Sequence, residues 1–171
     1  MPNDSVCLSR VVADDLIDVE TIFDDLRNYS ERVDGGHRRK GAALEFATAF
    51  PPSSHIQNKH AFVAYRHGLP VGLLDIIDAY PVPGTAFIGL LAVRESLHGA
   101  GLGRILYAQA EQFIQRDLRA KTVRIAVVET NRVSGFWQQM GFTPTGEVKR
   151  YEGEAVSSQA ILMEKTLPSA V

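Results

Sequence analysis

The chain has a single cysteine, Cys7, among 171 residues. One thiol excludes an internal disulfide and fits a reducing compartment. It is expected to be a buried, inert side chain. No apolar run approaches the roughly 20 residues that a membrane helix needs. Met1 to Ser5 also lack the charged start and apolar core of a signal peptide. These absences predict a cytoplasmic protein without a membrane partner. Neither sign of charge dominates: 18 Lys and Arg face 20 Asp and Glu, a net charge of -2. The basic surface of a nucleic-acid-binding protein is therefore missing. The five histidines are scattered without metal-ligand spacing, so no metal is expected. Repeats, low-complexity tracts and linkers are absent too, which predicts one domain over residues 1–171.

What is present is an ordinary core-forming composition with 45% hydrophobic residues. Val6 to Val12 reads as a first strand, followed by Asp14 and Asp15 as helix-capping carboxylates. Leu16, Val19, Ile22, Phe23 and Leu26 then recur at helical spacing up to Gly35-Gly36. His37-Arg38-Arg39-Lys40 reads as a basic loop, and Leu44 to Phe50 as a helix stopped by Pro51-Pro52. Ala61 to Arg66 and Val71 to Asp78 flank a His67-Gly68 turn and predict a hairpin. Thr85 to Val93 is almost wholly apolar, which predicts a strand buried on both faces. Leu102, Ile105, Leu106, Phe113 and Ile114 form a helical stripe, with Arg116, Arg119 and Lys121 near its end. Thr122 to Val128 reads as a strand and Arg132 to Met140 as a helix stopped at Gly141. Phe142 to Lys149 and Ser158 to Leu167 read as a last strand pair, whose exposed edges suit a monomer or a homodimer.

The chemistry concentrates in His98-Gly99-Ala100-Gly101-Leu102-Gly103-Arg104. A strand that enters a glycine turn and leaves as a helix aims backbone N–H groups and a positive dipole end at one spot, which favours a phosphate. His98 and Arg104 add charge or hydrogen bonds. The run is not a Walker loop, because Gly103-Arg104-Ile105 replaces Gly-Lys-Ser/Thr. It is not a dinucleotide fingerprint either. Its third glycine comes one residue early, and Thr122 to Val128 carries no carboxylate for a ribose. A glycine-rich turn without a ligand remains the alternative.

The turn with its flanking strand and helix resembles motif A of the GNAT superfamily of N-acetyltransferases, with His98 in the slot usually held by Gln or Arg. Asn131 and the run Phe136-Trp137-Gln138-Gln139-Met140-Gly141-Phe142 resemble the family's motif B. Ile88 to Val93, the turn, and Asn131 to Phe142 look like an uncharacterised bacterial branch that shares a Tyr80-Pro81 and a Thr145-Gly146-Glu147 element. The resemblance implies an α/β (α+β) fold: a mixed, mostly antiparallel, twisted seven-stranded sheet with helices on both faces and a splay between strands 4 and 5. It also implies acetyl-CoA as co-substrate. The backbone of Leu91, Ala92 and Val93 would bind its pantetheine arm. His98, Gly99, Ala100, Gly101, Leu102, Gly103 and Arg104 would hold the pyrophosphate, with Asn131, Phe136 and Trp137 on the far side.

Four residues are candidates for proton chemistry. A carboxylate commonly relieves an attacking amine of its proton, and Asp75 lies beside the expected cleft. Alternation puts Asp75 and Asp78 on opposite faces, so at most one points into it. Tyr80 is the next candidate. The family often places a tyrosine on the motif-B helix to protonate the leaving thiolate. That slot holds Trp137 here, whose indole does not serve as an acid. Ser134, one turn earlier, and Tyr151, expected in the loop between the last two strands, are the remaining choices.

The expected function is acetyl transfer to a primary amine of a small molecule or a peptide. A non-catalytic acyl-CoA-binding module and a resistance or toxin-type acetyltransferase are the rivals. Asp14, Asp15, Asp18, Asp24 and Asp25 make the first helix acidic, which is either a solvated face or a lure for a cationic amine. The basic run from His37 points toward an acidic acceptor instead, if it is more than a wet loop.

Overall fold

The hairpin at the centre of the fold follows from its turn. His67 and Gly68 have φ of 52° and 76°, the pair of left-handed residues that matches the twist of antiparallel strands. They join β2 (Lys59–Arg66) to β3 (Leu69–Ile77). The computed structural model describes residues 5–35, 40–131, 133–152 and 157–169. Around the hairpin, β1 (Val6–Arg10), β4 (Thr85–Val93), β5 (Thr122–Val128), β6 (Thr143–Glu152) and β7 (Ser157–Thr166) complete one sheet in the order β1-β2-β3-β4-β5-β7-β6. Every neighbouring pair is antiparallel except β4 and β5, which run parallel.

The alternation of strand side chains sends apolar groups to both faces. On one face Phe62, Leu74, Ile76, Ile88 and Ile125 pack with Leu106, Ala110 and Ile114, carried by α4 (Leu102–Phe113) and its continuation. Trp137 of α5 (Ser134–Gln139) joins this cluster. On the other face Ala61, Val63 and Leu73 meet α1 (Ile17–Asp24) and α3 (Ala42–Thr48). The expected mixed sheet with helices on both faces is therefore the observed architecture. Leu74 is completely buried at its centre. Leu74→Ala should cost about 2–5 kcal/mol. Urea unfolding should show it as a lower midpoint at unchanged slope.

Several expectations are corrected. The helix expected to run from Leu16 to Gly35 is two helices, α1 and α2 (Arg27–Asp34). They part at Asp25, whose backbone carbonyl accepts from the Glu95 N–H at 3.1 Å. Asp14 and Asp15 do not cap α1, because Leu16 is the N-cap and no side chain bonds there. Cys7 is exposed, on the edge strand β1, since Val6 takes the inward position beside it. β4 is not buried throughout: Gly89 is exposed, and Leu90 and Leu91 are half-buried. Its partner β5 has separated by that point, so the middle of β4 borders a cleft. Tyr151 lies in β6, opposite Ser158, and not in a loop. β6 is an edge strand and almost wholly exposed, so no apolar alternation marks where it ends. His37, Arg38, Arg39 and Arg132 lie outside the described residues.

Candidate active site

β4 and β5 stay in register from Thr85 opposite Thr122 to Ile88 opposite Ile125, and no further. Beyond that point Gly89 to Val93 and Ala126 to Val128 form the two walls of a cleft of about 520 Å³. That volume suits a sizeable ligand. On its β3 side, β4 remains paired through Leu91, Ala92 and Val93. The alternate N–H and C=O groups of its other side have lost their strand partner and face the cleft.

The glycine turn sits at one end of this opening. Gly101 caps α4 in a left-handed conformation with φ of 76°. A side chain there would meet nothing within 4 Å, so the space in front of the turn is open. The Ile105 N–H donates to the Gly101 carbonyl at 3.2 Å. The N–H groups of Leu102, Gly103 and Arg104 precede that first helical bond and have no acceptor within the helix. Their direction and the helix dipole suit an anion. His98 is exposed and lines the cleft. Its Nε2 lies 2.9 Å from the Val93 carbonyl and donates to it, which fastens the turn to the end of β4. Arg104 is exposed and donates to Gln139 Oε1 at 3.4 Å.

The far side of the cleft carries Asn131, Phe136 and Trp137. Trp137 is 7% exposed. It packs edge-to-face on Tyr107, Phe136 and Phe142, with ring centroids 5.1–5.9 Å apart. Of the thirteen residues expected to bind the cofactor, only Ala100 is not among those lining the cleft.

Sequence reasoning missed the contribution of α2, whose Tyr29, Arg32 and Val33 also line the cleft. A polar knot holds α2 there. Arg94 Nε donates to Asp25 Oδ2 at 3.1 Å, Ser96 Oγ donates to the same oxygen at 2.5 Å, and the Tyr29 N–H donates to Glu95 Oε1 at 3.0 Å. Burial pulls the Asp25 carboxyl upward, but the bonds from Ser96 and Arg94 outweigh it and hold the group below the usual carboxylate range. Asp18, another member of the acidic set, accepts from the Tyr65 hydroxyl at 2.5 Å. Asp18 and Asp25 are therefore tied into the fold.

A second cavity of about 270 Å³ adjoins the first and shares Tyr29, Gly89 and Leu90 with it. Asp75 and Tyr151 both line it. Asp75 Oδ1 accepts from Lys59 Nζ at 2.8 Å, in a pair whose side chains are only 15% and 3% exposed. Burial pushes the Asp75 carboxyl up, and the Lys59 charge and hydrogen bond oppose that push. The other oxygen, Oδ2, lies 2.9 Å from where a Cβ at Gly89 would stand. Only glycine leaves this approach between Asp75 and the cleft strand free. Sequence reasoning missed Lys59 and Gly89. A lone glycine in a strand does signal close approach, but nothing local marks Lys59.

The remaining candidates are not brought to either cavity. Tyr80 packs edge-on against Phe87, with centroids 5.4 Å apart. Ser134 opens α5. Asp78 follows β3 and accepts from the neighbouring Ala79 N–H at 2.8 Å. Among the described residues no group of three or more His, Cys, Asp or Glu is placed to hold a metal. No described helix is long and apolar enough to cross a membrane.

A family model described as the acetyltransferase (GNAT) family matches residues 26–142. No curated protein sequence matches the chain. Solved structures do. An acetyltransferase from Thermus thermophilus is 22% identical with a TM-score of 0.74, covering 98% of this chain and 100% of that one. A spermidine N-acetyltransferase from Vibrio cholerae, in complex with CoA and spermine, is 17% identical with a TM-score of 0.72, covering 96% of each chain. A ribosomal-protein alanine N-acetyltransferase from Escherichia coli is 18% identical with a TM-score of 0.67, covering 97% of this chain and 96% of that one.

Proposed function

Because the chain belongs to the GNAT acetyltransferase family, we propose that it moves an acetyl group from acetyl-CoA to a primary amine of a small molecule or peptide. One observation carries this reading. The splay of β4 from β5 sets an unpaired strand edge and the N-terminus of α4 along a single cleft. An extended amide-containing arm fits the first feature and a pyrophosphate the second. The CoA bound to the Vibrio cholerae neighbour supports the donor. Spermidine and a ribosomal-protein alanine, in the names of two neighbours, support an amine as acceptor.

Acetyl-CoA supplies an activated thioester. Leu91, Ala92 and Val93 hold its arm through the open backbone of β4, and a backbone N–H near Ala92 faces the developing oxyanion. The turn from Gly99 to Arg104 holds the pyrophosphate through backbone N–H groups, and His98 holds the turn. Phe136 and Trp137 close the opposite side and exclude water. Asp75 takes the proton from the attacking nitrogen as the N–C bond forms and the C–S bond breaks. Tyr151, which lines the cavity of Asp75, is the proposed proton donor to the departing CoA thiolate, since Trp137 is buried among rings and donates no proton. Holding both reactants in line supplies much of the rate.

Calorimetry with acetyl-CoA should show one site with an affinity in the micromolar to low millimolar range typical of enzyme substrates. No heat at millimolar ligand would overturn the reading. Binding with no thiol release across an amine panel would favour the binding-only module instead.

A further inference from the structure

The cavity beside the cleft has a chemistry of its own, and it bears on the acceptor. Its walls are largely apolar and aromatic: Phe23 and Phe46 meet edge-to-face at 6.2 Å, and Tyr29, Leu90 and Tyr151 complete them. Its one well-buried carboxylate is Asp75, and that charge is already balanced by Lys59 at 2.8 Å. Lys59 Nζ also stands 5.9 Å from the centroid of the Phe46 ring, so the cation is shared between the carboxylate and the aromatic wall. Glu45, the other carboxylate of the lining, is on the exposed side of α3.

From this balance we infer that the cavity takes a primary amine as its neutral free base, carried on an aryl or branched-alkyl body, with the nitrogen at Asp75 and the body against Phe23 and Phe46. The inference rests on the acetyl-transfer reading and deepens it. A buried ion pair offers one acceptor oxygen and no surplus negative charge. The second ammonium of a diamine or polyamine, carried into the buried part of the cavity, would have no counter-charge there, since Glu45 stands on the exposed side, and that is strongly unfavourable. An apolar body gains instead, because it leaves water for aromatic contact. About 270 Å³ holds a ring with a two-carbon arm and little more. Asp75 Oδ2 abuts Gly89 of the cleft strand, so an amine on that oxygen stands beside the place proposed for the thioester.

The test uses the full chain with acetyl-CoA, reading thiol release. The amines are 2-phenylethylamine, 3-methylbutylamine, ethylamine, putrescine and spermidine. The expected result is a kcat/KM for the first two at least about 10-fold above the other three, as burial of one apolar group predicts. Ala42→Phe, which fills the cavity from α3, should raise KM for 2-phenylethylamine while leaving acetyl-CoA affinity unchanged. Acetyl-CoA binding with turnover best on putrescine or spermidine, or with none on any of the five, would overturn this substrate class and leave acetyl-CoA recognition standing. Failure to bind acetyl-CoA at all would overturn both.

Discussion

Gly101→Val should weaken acetyl-CoA binding by about 100-fold or more, while Gly68→Val should leave it unchanged. The two glycines form a matched pair. Each has φ of 76°, and each would present a new side chain to open space with no atom within 4 Å. The strain of placing a β-branched residue in the left-handed region is therefore the same at both, about 1–2 kcal/mol. In a chain of this size that lowers the melting temperature by a few degrees. The difference lies in what the open space is for. At Gly68 it is solvent beyond a hairpin. At Gly101 it is the space in front of the N–H groups of Leu102, Gly103 and Arg104, at the mouth of the cleft. A valine there occupies the place proposed for the pyrophosphate and shifts the cap that aims those donors. Calorimetry and a thermal melt on both variants decide the matter. Equal loss of binding in the two would assign the effect to strain. Retained binding in Gly101→Val would remove the turn from the ligand site.

The same comparison shows why the turn was legible in the sequence when other parts of the site were not. A glycine at a left-handed helix cap, an apolar stripe at helical spacing and a hairpin turn are local features. Each is set by residues a few positions apart. The glycine turn, the helix after it and the hairpin turn appear where the sequence predicts them, although Ile105 of that helix's expected stripe is exposed and the stripe from Leu16 to Leu26 does not belong to one helix. The splay of β4 from β5 was implied by the family resemblance and not by the strand itself. Thr85 to Val93 has the composition of a buried strand, and composition does not report that a neighbour departs after Ile88. The break between α1 and α2 depends on Arg94, Glu95 and Ser96, about 70 positions away, so no helical pattern near Asp25 announces it. Tyr151 was misplaced because β6 is exposed and carries no apolar alternation. The Lys59–Asp75 pair depends on cross-strand register, and β3 carries an irregularity between Asp75 and Ile76. Alternation counted through such a point loses track of the face.

That pair gives the second large effect. Asp75→Asn should lower kcat by about 100-fold or more, the usual worth of a general base, with acetyl-CoA affinity kept as proof of an intact cleft. Lys59→Met separates the base from its surroundings through pH. Burial raises the Asp75 carboxyl and Lys59 restrains that rise. Removing the ammonium should therefore carry the carboxyl higher still, and the acid limb of the kcat/KM profile should move to higher pH. The amine substrate ionises identically for both proteins, so the displacement between the two profiles belongs to Asp75. Stability should move the same way. A carboxyl whose folded value lies above its unfolded value of about 3.9 favours the folded state while protonated, and the cost appears as pH rises through the folded value. Lys59→Met should thus be least destabilised in acid and lose about 3–5 kcal/mol near neutrality, the cost of leaving a buried charge unpaired. Urea melts at several pH values read the stability, and thiol release reads the rate. An acid limb that stays in place in Lys59→Met, or a kcat that survives Asp75→Asn, would take the proton away from Asp75 and leave Lys59 a purely structural cation.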